Sequence, residues 1–255
     1  MPLELITLPC LTDNYAYLLH DAASGDTALV DAPEAAPVLA ALQARGWHLT
    51  DILLTHHHGD HIDGVAALVA ATGARVTGAA ADAHRLPPLD RAVAEGDSFT
   101  LGGEAVHVLD VSGHTIGHIA FHLPGAGLVF TADSLMAMGC GRLFEGAPAL
   151  MWQSLSKLAA LPPETLVCSG HEYTASNLRF ALSLEPAHPA LILRGDKISA
   201  ARAKGQPTVP SRLSDELATN PFLRARDPAL KAAIGMAGAP DAAVFAELRA
   251  RKDKF

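Results

Sequence analysis

Hydrophobic and polar positions follow one rhythm up to about Ser169 and another beyond it. In the first stretch, short apolar runs bounded by turn residues alternate with a few helical segments. Residues 3–8, 15–20 and 27–31 predict three strands at the start. Residues 37–45 space apolar side chains three and four apart and stop at Gly46, which predicts a helix with a glycine C-cap. Residues 51–55, DILLT, predict a buried strand that runs straight into His56, His57 and His58. A second helix is predicted over 64–72, with Val65, Leu68 and Val69 on one face. Strands at 75–79, 98–101, 104–110, 118–123 and 128–132, a helix around 149–160 and a strand at 165–169 complete this part.

Beyond it, residues 173–184, 211–218, 228–236 and 241–252 are helical in pattern, and no further strand is predicted. Ser211, Ser214 and Asp215 supply N-capping chemistry for the helix at 211. The change of rhythm predicts two parts: a mixed α/β domain over 1–169 and a helical domain over 170–255. No repeat or low-complexity linker divides them differently. A chain of 255 residues can bury roughly three quarters of its unfolded surface, enough for a sizeable core.

Composition narrows the function classes. An apolar content of 49% and the lack of long charge runs exclude a disordered chain. The longest uninterrupted apolar stretch, residues 64–71, is far short of the ~20 residues a membrane span needs, so no membrane association is expected. With 19 Lys and Arg against 27 Asp and Glu, the chain has no pervasive basic face for nucleic acid. The first basic residue is Arg45, so the start shows neither a secretory signal nor an Arg-rich transit segment. Cys10, Cys140 and Cys168 are scattered and odd in number, which points to reduced thiols and a cytoplasmic location. Histidine stands out, with 13 in the chain.

The decisive segment is Thr55-His56-His57-His58-Gly59-Asp60-His61. In extended backbone, positions two apart project to the same side, so His56 and His58 can converge on one cation. Asp60 and His61 fall at the turn into the next helix and point elsewhere, which suits a second cation. Imidazole nitrogen and carboxylate oxygen are donors for zinc, iron or manganese, and the lack of cysteine argues against a closed structural zinc site. A polar loop of surface histidines could produce this string alone. Yet His114 (SGHT), Asp133 (FTADS) and His171 (CSGHE) also lie at or just after the ends of apolar strands. Strand ends in layered α/β folds are where such groups assemble into sites.

The order HxHxDH, GHTxGH, a strand-terminal Asp and GHEYT resembles the metallo-β-lactamase superfamily. Within it, Gly139-Cys140-Gly141-Arg142, GHEYT with Asn177, Asn220-Pro221-Phe222-Leu223-Arg224 and the closing Arg249 and Lys252 resemble the glyoxalase II (hydroxyacylglutathione hydrolase) family, from the first strands to the last residues. The resemblance implies an αββα sandwich of two mixed sheets flanked by helices, with a C-terminal helical domain closing over the metal edge. It assigns His56, His58 and His114 to a first metal, Asp60, His61 and His171 to a second, and Asp133 to both. Two divalent ions per chain are implied, zinc foremost, with iron or manganese open. The family's nucleophile is a metal-bridging hydroxide, and its reaction is hydrolysis of S-2-hydroxyacylglutathione thioesters. S-D-lactoylglutathione becomes D-lactate and glutathione, the second step of methylglyoxal detoxification. Two ions, two carboxylates and one hydroxide leave a formal charge of about +1, attractive to a developing oxyanion. The departing thiolate is stable near neutral pH, so no strong general acid is needed. Asp60 and Asp133 are the expected catalytic carboxylates, with Asp60 placed to accept or relay a proton.

The same resemblance puts Arg142, Tyr173, Arg249 and Lys252 around the glutathione of a small-molecule substrate, in a protein expected to be monomeric. Taken alone, Arg249 and Lys252 read as a solvated helix end, where cations complement the dipole. Phe144 sits where many family members have a tyrosine touching the thiol-containing peptide, so that hydroxyl contact is missing and acyl preference stays open. A persulfide dioxygenase would lack the GHEYT and NPFxR features, and a diiron flavoprotein would have glutamate where His58 stands. A lactonase or β-lactamase is the rival hydrolase. His57 is expected to point away from the metals, His118 to brace the loop carrying His114, and Asp31 to orient the ligand loop. Cys140 reads as a packed loop thiol, and Gly113, Gly139 and Gly141 as tight-turn residues. His20, His48, His84, His107, His122 and His188 read as ordinary strand, turn or surface residues.

Overall fold

A computed structural model describes residues 3–255. They form two compact units, one running to Val111 and resuming over Ile116–Ala132, the other comprising Ser112–Thr115 and Asp133–Phe255. Both are α/β in content.

The first unit contains, in chain order, β1 (Glu4–Cys10), β2 (Asn14–His20), β3 (Thr27–Val30), α1 (Ala35–Arg45), β4 (Asp51–Leu53), α2 (Gly59–Ile62), α3 (Val65–Thr72), β5 (Arg75–Ala79), β6 (Arg91–Val93), β7 (Ser98–Leu101), β8 (Glu104–Asp110), β9 (Ile119–Leu123) and β10 (Leu128–Ala132). One sheet has the order β1-β2-β3-β4-β5-β6. Its first three strands are antiparallel and β3 to β6 are parallel. Parallel neighbours need crossovers, and α1 and α3 supply them between β3, β4 and β5. Val38 and Leu42 of α1 and Val65 and Leu68 of α3 pack with Leu18, Leu29, Ile52 and Val76 in one core. Each such side chain, fully buried, contributes about 1.5–3 kcal/mol. A second sheet runs β10-β9-β8-β7, antiparallel throughout. In β8, Val106 and Val108 are buried while His107 between them is exposed, the alternation of a half-buried strand. Tyr17 of β2 meets Phe130 of β10 edge to face, with ring centroids 5.5 Å apart, so the two sheets face each other.

α1 ends as its sequence predicts. Gly46 adopts φ 67 and its N–H reaches the carbonyls of Gln43 and Leu42. β3 and β4 pair in parallel up to Val30 opposite Leu53, so Asp31 and the histidine segment leave from the same sheet edge. That register places the candidate chemistry.

The second unit contains β11 (Leu135–Met136), β12 (Gly139–Cys140), α4 (Pro148–Ala159), β13 (Leu166–Ser169), α5 (Thr174–Leu184), α6 (Pro189–Ala203), β14 (Ser211–Arg212), α7 (Leu213–Thr219), α8 (Pro228–Ala233) and α9 (Asp241–Lys254). Rings form a chain from Trp152 in α4 through Phe245 in α9 and the loop residue Phe222 to Phe180 in α5, with successive centroids 6.0 Å, 5.8 Å and 6.0 Å apart. A smaller core joins Met138, Leu178, Ala181, Leu191 and Ile198.

Two expectations need correction here. The helix α6 escapes the periodicity because only Leu191 and Ile198 are buried on it, with Arg194, Gly195, Asp196 and Lys197 between them. Its fit against α5 uses Gly195, where a Cβ would come within 3.2 Å of Leu178. The residues after Ser169 also contain a strand, since Ser211 and Arg212 pair with Val167 and Leu166. The helix therefore starts at Leu213, and no side chain caps it. Ser211, Ser214 and Asp215 are not its cap. The ladder to β13 claims Ser211 first, and the N–H groups of Leu213 and Ser214 go to the carbonyls of Thr165 and Pro163. The two-residue strands β11 and β12 are too short to show any period.

Candidate metal centre

In the first unit the site grows from Asp31, a non-glycine residue at φ 55 directly after β3. A left-handed turn costs an L-residue roughly 1–2 kcal/mol, and here it aims a carboxylate at the next strand. Asp31 Oδ1 accepts from the Thr55 N–H at 2.9 Å, and Oδ2 lies 2.9 Å from both Thr55 Oγ1 and His61 Nδ1. An ionised carboxylate only accepts, so His61 Nδ1 donates to it, and His61 Nε2 lies 3.7 Å from Asp60 Oδ2. The single Thr55 hydroxyl proton also goes to Asp31. That hydroxyl therefore accepts from His56 Nδ1 at 3.0 Å, which makes Nε2 the lone-pair nitrogen of His56. One carboxylate thus sets two imidazole tautomers.

His56 Nε2 faces His58 Nδ1 at 3.2 Å. Facing ring nitrogens of this kind converge on a shared cation. His56 and His61 are fully buried, and His118 stacks on the His56 ring with centroids 4.6 Å apart at 12°. His58 has extended backbone and α2 begins at Gly59, so Asp60 and His61 sit on one turn of helix. Asn14 Nδ2 donates to Asp60 Oδ2 and to its carbonyl, both at 3.0 Å. Nothing in the local pattern singles out Asn14; its role comes from the tight link between β1 and β2. His57 turns the other way, its Nδ1 2.9 Å from Asp82 Oδ2. Asp82 is fully buried and also takes Arg85, whose Nη2 donates to the Ile116 carbonyl at 2.9 Å.

In the second unit, His114, Asp133 and His171 come together. Nε2 of each histidine lies 3.4 Å from the same Asp133 Oδ2. His114 Nδ1 donates to the Arg142 carbonyl at 2.7 Å, a partner that can only accept, and this turns Nε2 towards Asp133. This bond depends on close approach at Gly141. A Cβ there would lie 1.9 Å from the Asp133 carbonyl oxygen and 2.9 Å from His114 Nδ1. Gly139 is similar, its Cβ falling 2.4 Å from Asn177 Nδ2. Neither glycine has a positive φ, so their value is proximity rather than the tight turns expected of them. Of the glycines singled out with them, Gly113 alone is left-handed, at φ 156.

Aromatic rings lie on these ligands. Tyr173 stacks on His171 with centroids 4.6 Å apart at 6°, and Phe144 meets His114 edge-on at 5.3 Å. Phe144 is 62% exposed. The Arg142 side chain is 60% exposed, with Nε 3.5 Å from Asp253. Arg249 is only 7% exposed, so it is no solvated helix end. Its Nη1 donates to the Cys140 carbonyl at 3.0 Å and its Nη2 pairs with Asp253 at 2.8 Å. Lys252 is half-buried against Phe180 and Phe255, and that burial, with Arg249 nearby, holds its ammonium pKa below the ordinary lysine value. Burial pushes the Cys140 thiol up to about 11, so it is no nucleophile at neutral pH. Burial likewise pushes Cys10 up to about 11 and raises Cys168 further.

Imidazole rings with their outer nitrogens already committed, beside carboxylate oxygens, are a donor set that fits divalent cations. Comparison with known proteins agrees. Residues 12–171 match the family model of the metallo-β-lactamase superfamily, and residues 172–255 match that of the hydroxyacylglutathione hydrolase C-terminus. A hydroxyacylglutathione hydrolase of Cereibacter sphaeroides (strain ATCC 17025) is 71% identical over 255 residues, 100% of each chain. One from Ruegeria pomeroyi is 68% identical over the same length, again 100% of each chain. Among solved structures, ETHE1 from Myxococcus xanthus is similar with a TM-score of 0.67 and 26% identity, over 98% of this chain and 90% of that one. The B3 metallo-β-lactamase BLEG-1 shares the fold with a TM-score of 0.68 and 21% identity, over 86% of this chain and 99% of that one.

Proposed function

The chain belongs to the hydroxyacylglutathione hydrolase family of the metallo-β-lactamase superfamily, and from that premise we propose that it hydrolyses S-2-hydroxyacylglutathione thioesters. S-D-lactoylglutathione is the main substrate, released as D-lactate and glutathione in the second step of methylglyoxal detoxification. The observation that carries this reading is 71% identity over the whole length of a hydroxyacylglutathione hydrolase. Residues 1–169 carry the metal site, completed by His171 just beyond them, and 170–255 contribute to substrate binding, in a cytoplasmic monomer.

His56, His58 and His114 hold one divalent ion, Asp60, His61 and His171 a second, and Asp133 serves both. Zinc is the first candidate, and iron or manganese accept the same donors. Such ions, when bound, polarise a carbonyl and lower the pKa of water from 15.7 towards about 7. The chain's own part is orientation. Asp31 fixes the His61 and His56 tautomers, the Arg142 carbonyl fixes that of His114, and Asn14 holds Asp60. Held in this way, Asp60 accepts the proton released as the thioester is attacked. A thiolate leaves without a strong acid, so no further proton donor is required. Tyr173 and Phe144 present ring surface beside His171 and His114 to the acyl-thiol portion. Arg142, Arg249 and Lys252 supply positive charge for the glutathione carboxylates.

Elemental analysis paired with turnover on one purified sample tests the proposal. Two divalent ions per chain and preferential cleavage of S-lactoylglutathione over a lactone and a β-lactam are expected. Metal-replete protein that spares the thioester while opening a lactone would overturn it. Asp60→Asn with full metal content and unchanged turnover across pH would remove Asp60 from the proton relay.

A further inference from the structure

We propose that Asn220 and Glu216 are positioning residues for His114, acting through the β11–β12 hairpin and the Arg142 carbonyl. The inference rests on the reading of His114 as a metal ligand and adds how that ligand is held from the C-terminal helices.

The hairpin cannot hold itself. Its ladder is two residue pairs, Leu135 with Cys140 and Met136 with Gly139. Isolated hairpins are marginal even when longer. Its turn contains Met138, a fully buried non-glycine residue at φ 61. Polar groups from the helices supply what the ladder lacks. Asn220 Nδ2 reaches the Met136 carbonyl at 3.1 Å and the Gly139 carbonyl at 2.9 Å, bracing both strands at once. Glu216 Oε2 accepts from the Met138 N–H at 2.8 Å and from Asn220 at 3.1 Å, while its other oxygen pairs with Arg194. Asn220 Oδ1 is fixed in turn by the Phe222 N–H at 3.1 Å. Asn177 adds one bond to the Ala137 carbonyl at 3.1 Å.

Asn220 and Glu216 are both fully buried, and neither is among the proposed ligands or substrate contacts. The hairpin ends at Cys140, Gly141 passes against His114, and the Arg142 carbonyl receives the His114 proton. A shift of the hairpin therefore moves the group that fixes the His114 ring. Partners that orient metal ligands typically alter affinity 10–100-fold when removed.

The test measures zinc affinity of the full chain by competition with a chelating dye, in a mutant cycle of Asn220→Ala and His114→Ala. Asn220→Ala alone should weaken zinc binding roughly tenfold or more, and should add little once His114 is already alanine. The His114 Nδ1 proton, followed by NMR, should exchange faster in Asn220→Ala than in the parent. An equal loss in both backgrounds, or no loss beyond that of Leu230→Ala, a buried α8 substitution of general destabilising effect, would overturn the inference. Should Asn220→Ala not fold, Asn177→Ser, which removes only the Ala137 bond, carries the same cycle with a smaller loss expected. Zinc affinity unchanged in His114→Ala itself would instead sink the ligand reading on which all this rests.

Discussion

The two regions that carry the proposed metal ligands hold their side chains by different means. In the first unit the candidate donors lie within one short segment, His56 to His61, and a single carboxylate directly after the neighbouring parallel strand orients two of them, His56 and His61. In the second, His114, Asp133 and His171 come from separate loops, and the key orienting group is a main-chain carbonyl delivered by a glycine loop. Contiguous ligands need one side chain to govern them. Dispersed ligands need backbone brought within van der Waals limits, which places the burden on glycine and on whatever braces the loop.

Substitutions can break this contrast, beginning with the largest effect. Asp133→Ala removes the one oxygen that both second-unit histidines face, and should lower turnover on the order of 10³-fold, with metal content falling in parallel by elemental analysis. Gly141→Ala changes no ligand. Its methyl would meet the Asp133 carbonyl at 1.9 Å, so the loop must move by an ångström or more. Displacements of that size cost about 10²-fold in rate, readable as kcat, and the overpacking about 1–3 kcal/mol in a urea titration.

A pH titration probes the cationic end. Lys252 loses its proton at lower pH in the folded than in the unfolded chain, because burial disfavours the ammonium. Between those two values the unfolded chain binds more protons, so this group's contribution to stability rises with pH. Substrate binding should go the opposite way, with KM for the glutathione thioester climbing below the ordinary lysine value of 10.5. Lys252→Met should raise KM at neutral pH and flatten that limb. The smallest effect is expected of Phe144→Tyr, which adds a hydroxyl at an exposed ring beside His114. One added hydrogen bond is worth about 0.5–1.5 kcal/mol, so KM should fall roughly 2–12-fold with kcat unchanged.

The contrast also explains what could be read from the chain. Side chains able to hold a metal belong to few residue types, so the proposed ligands His56, His58, Asp60, His61, His114, Asp133 and His171 stand out at or near strand ends. Most strands of the first unit are legible too, because burial on one or both faces imposes a pattern; β6 is not, since its three residues bury only Val93. Orienting groups are less legible. The carbonyl of Arg142 has no letter of its own, and Asn14, Asp82 and Glu216 act on residues remote in sequence. Helix α6 stayed hidden because it buries too narrow a stripe, and Ser211 misled because a cap-forming residue was taken by a strand pair instead.

Hydroxyacylglutathione hydrolases are associated with methylglyoxal, an electrophilic carbonyl compound that modifies exposed sulfur. All three cysteines here are buried and held as neutral thiols. Its thiols are therefore shielded from aldehydes and alkylating agents while it is folded, and iodoacetamide labelling of cysteine gauges how often it opens.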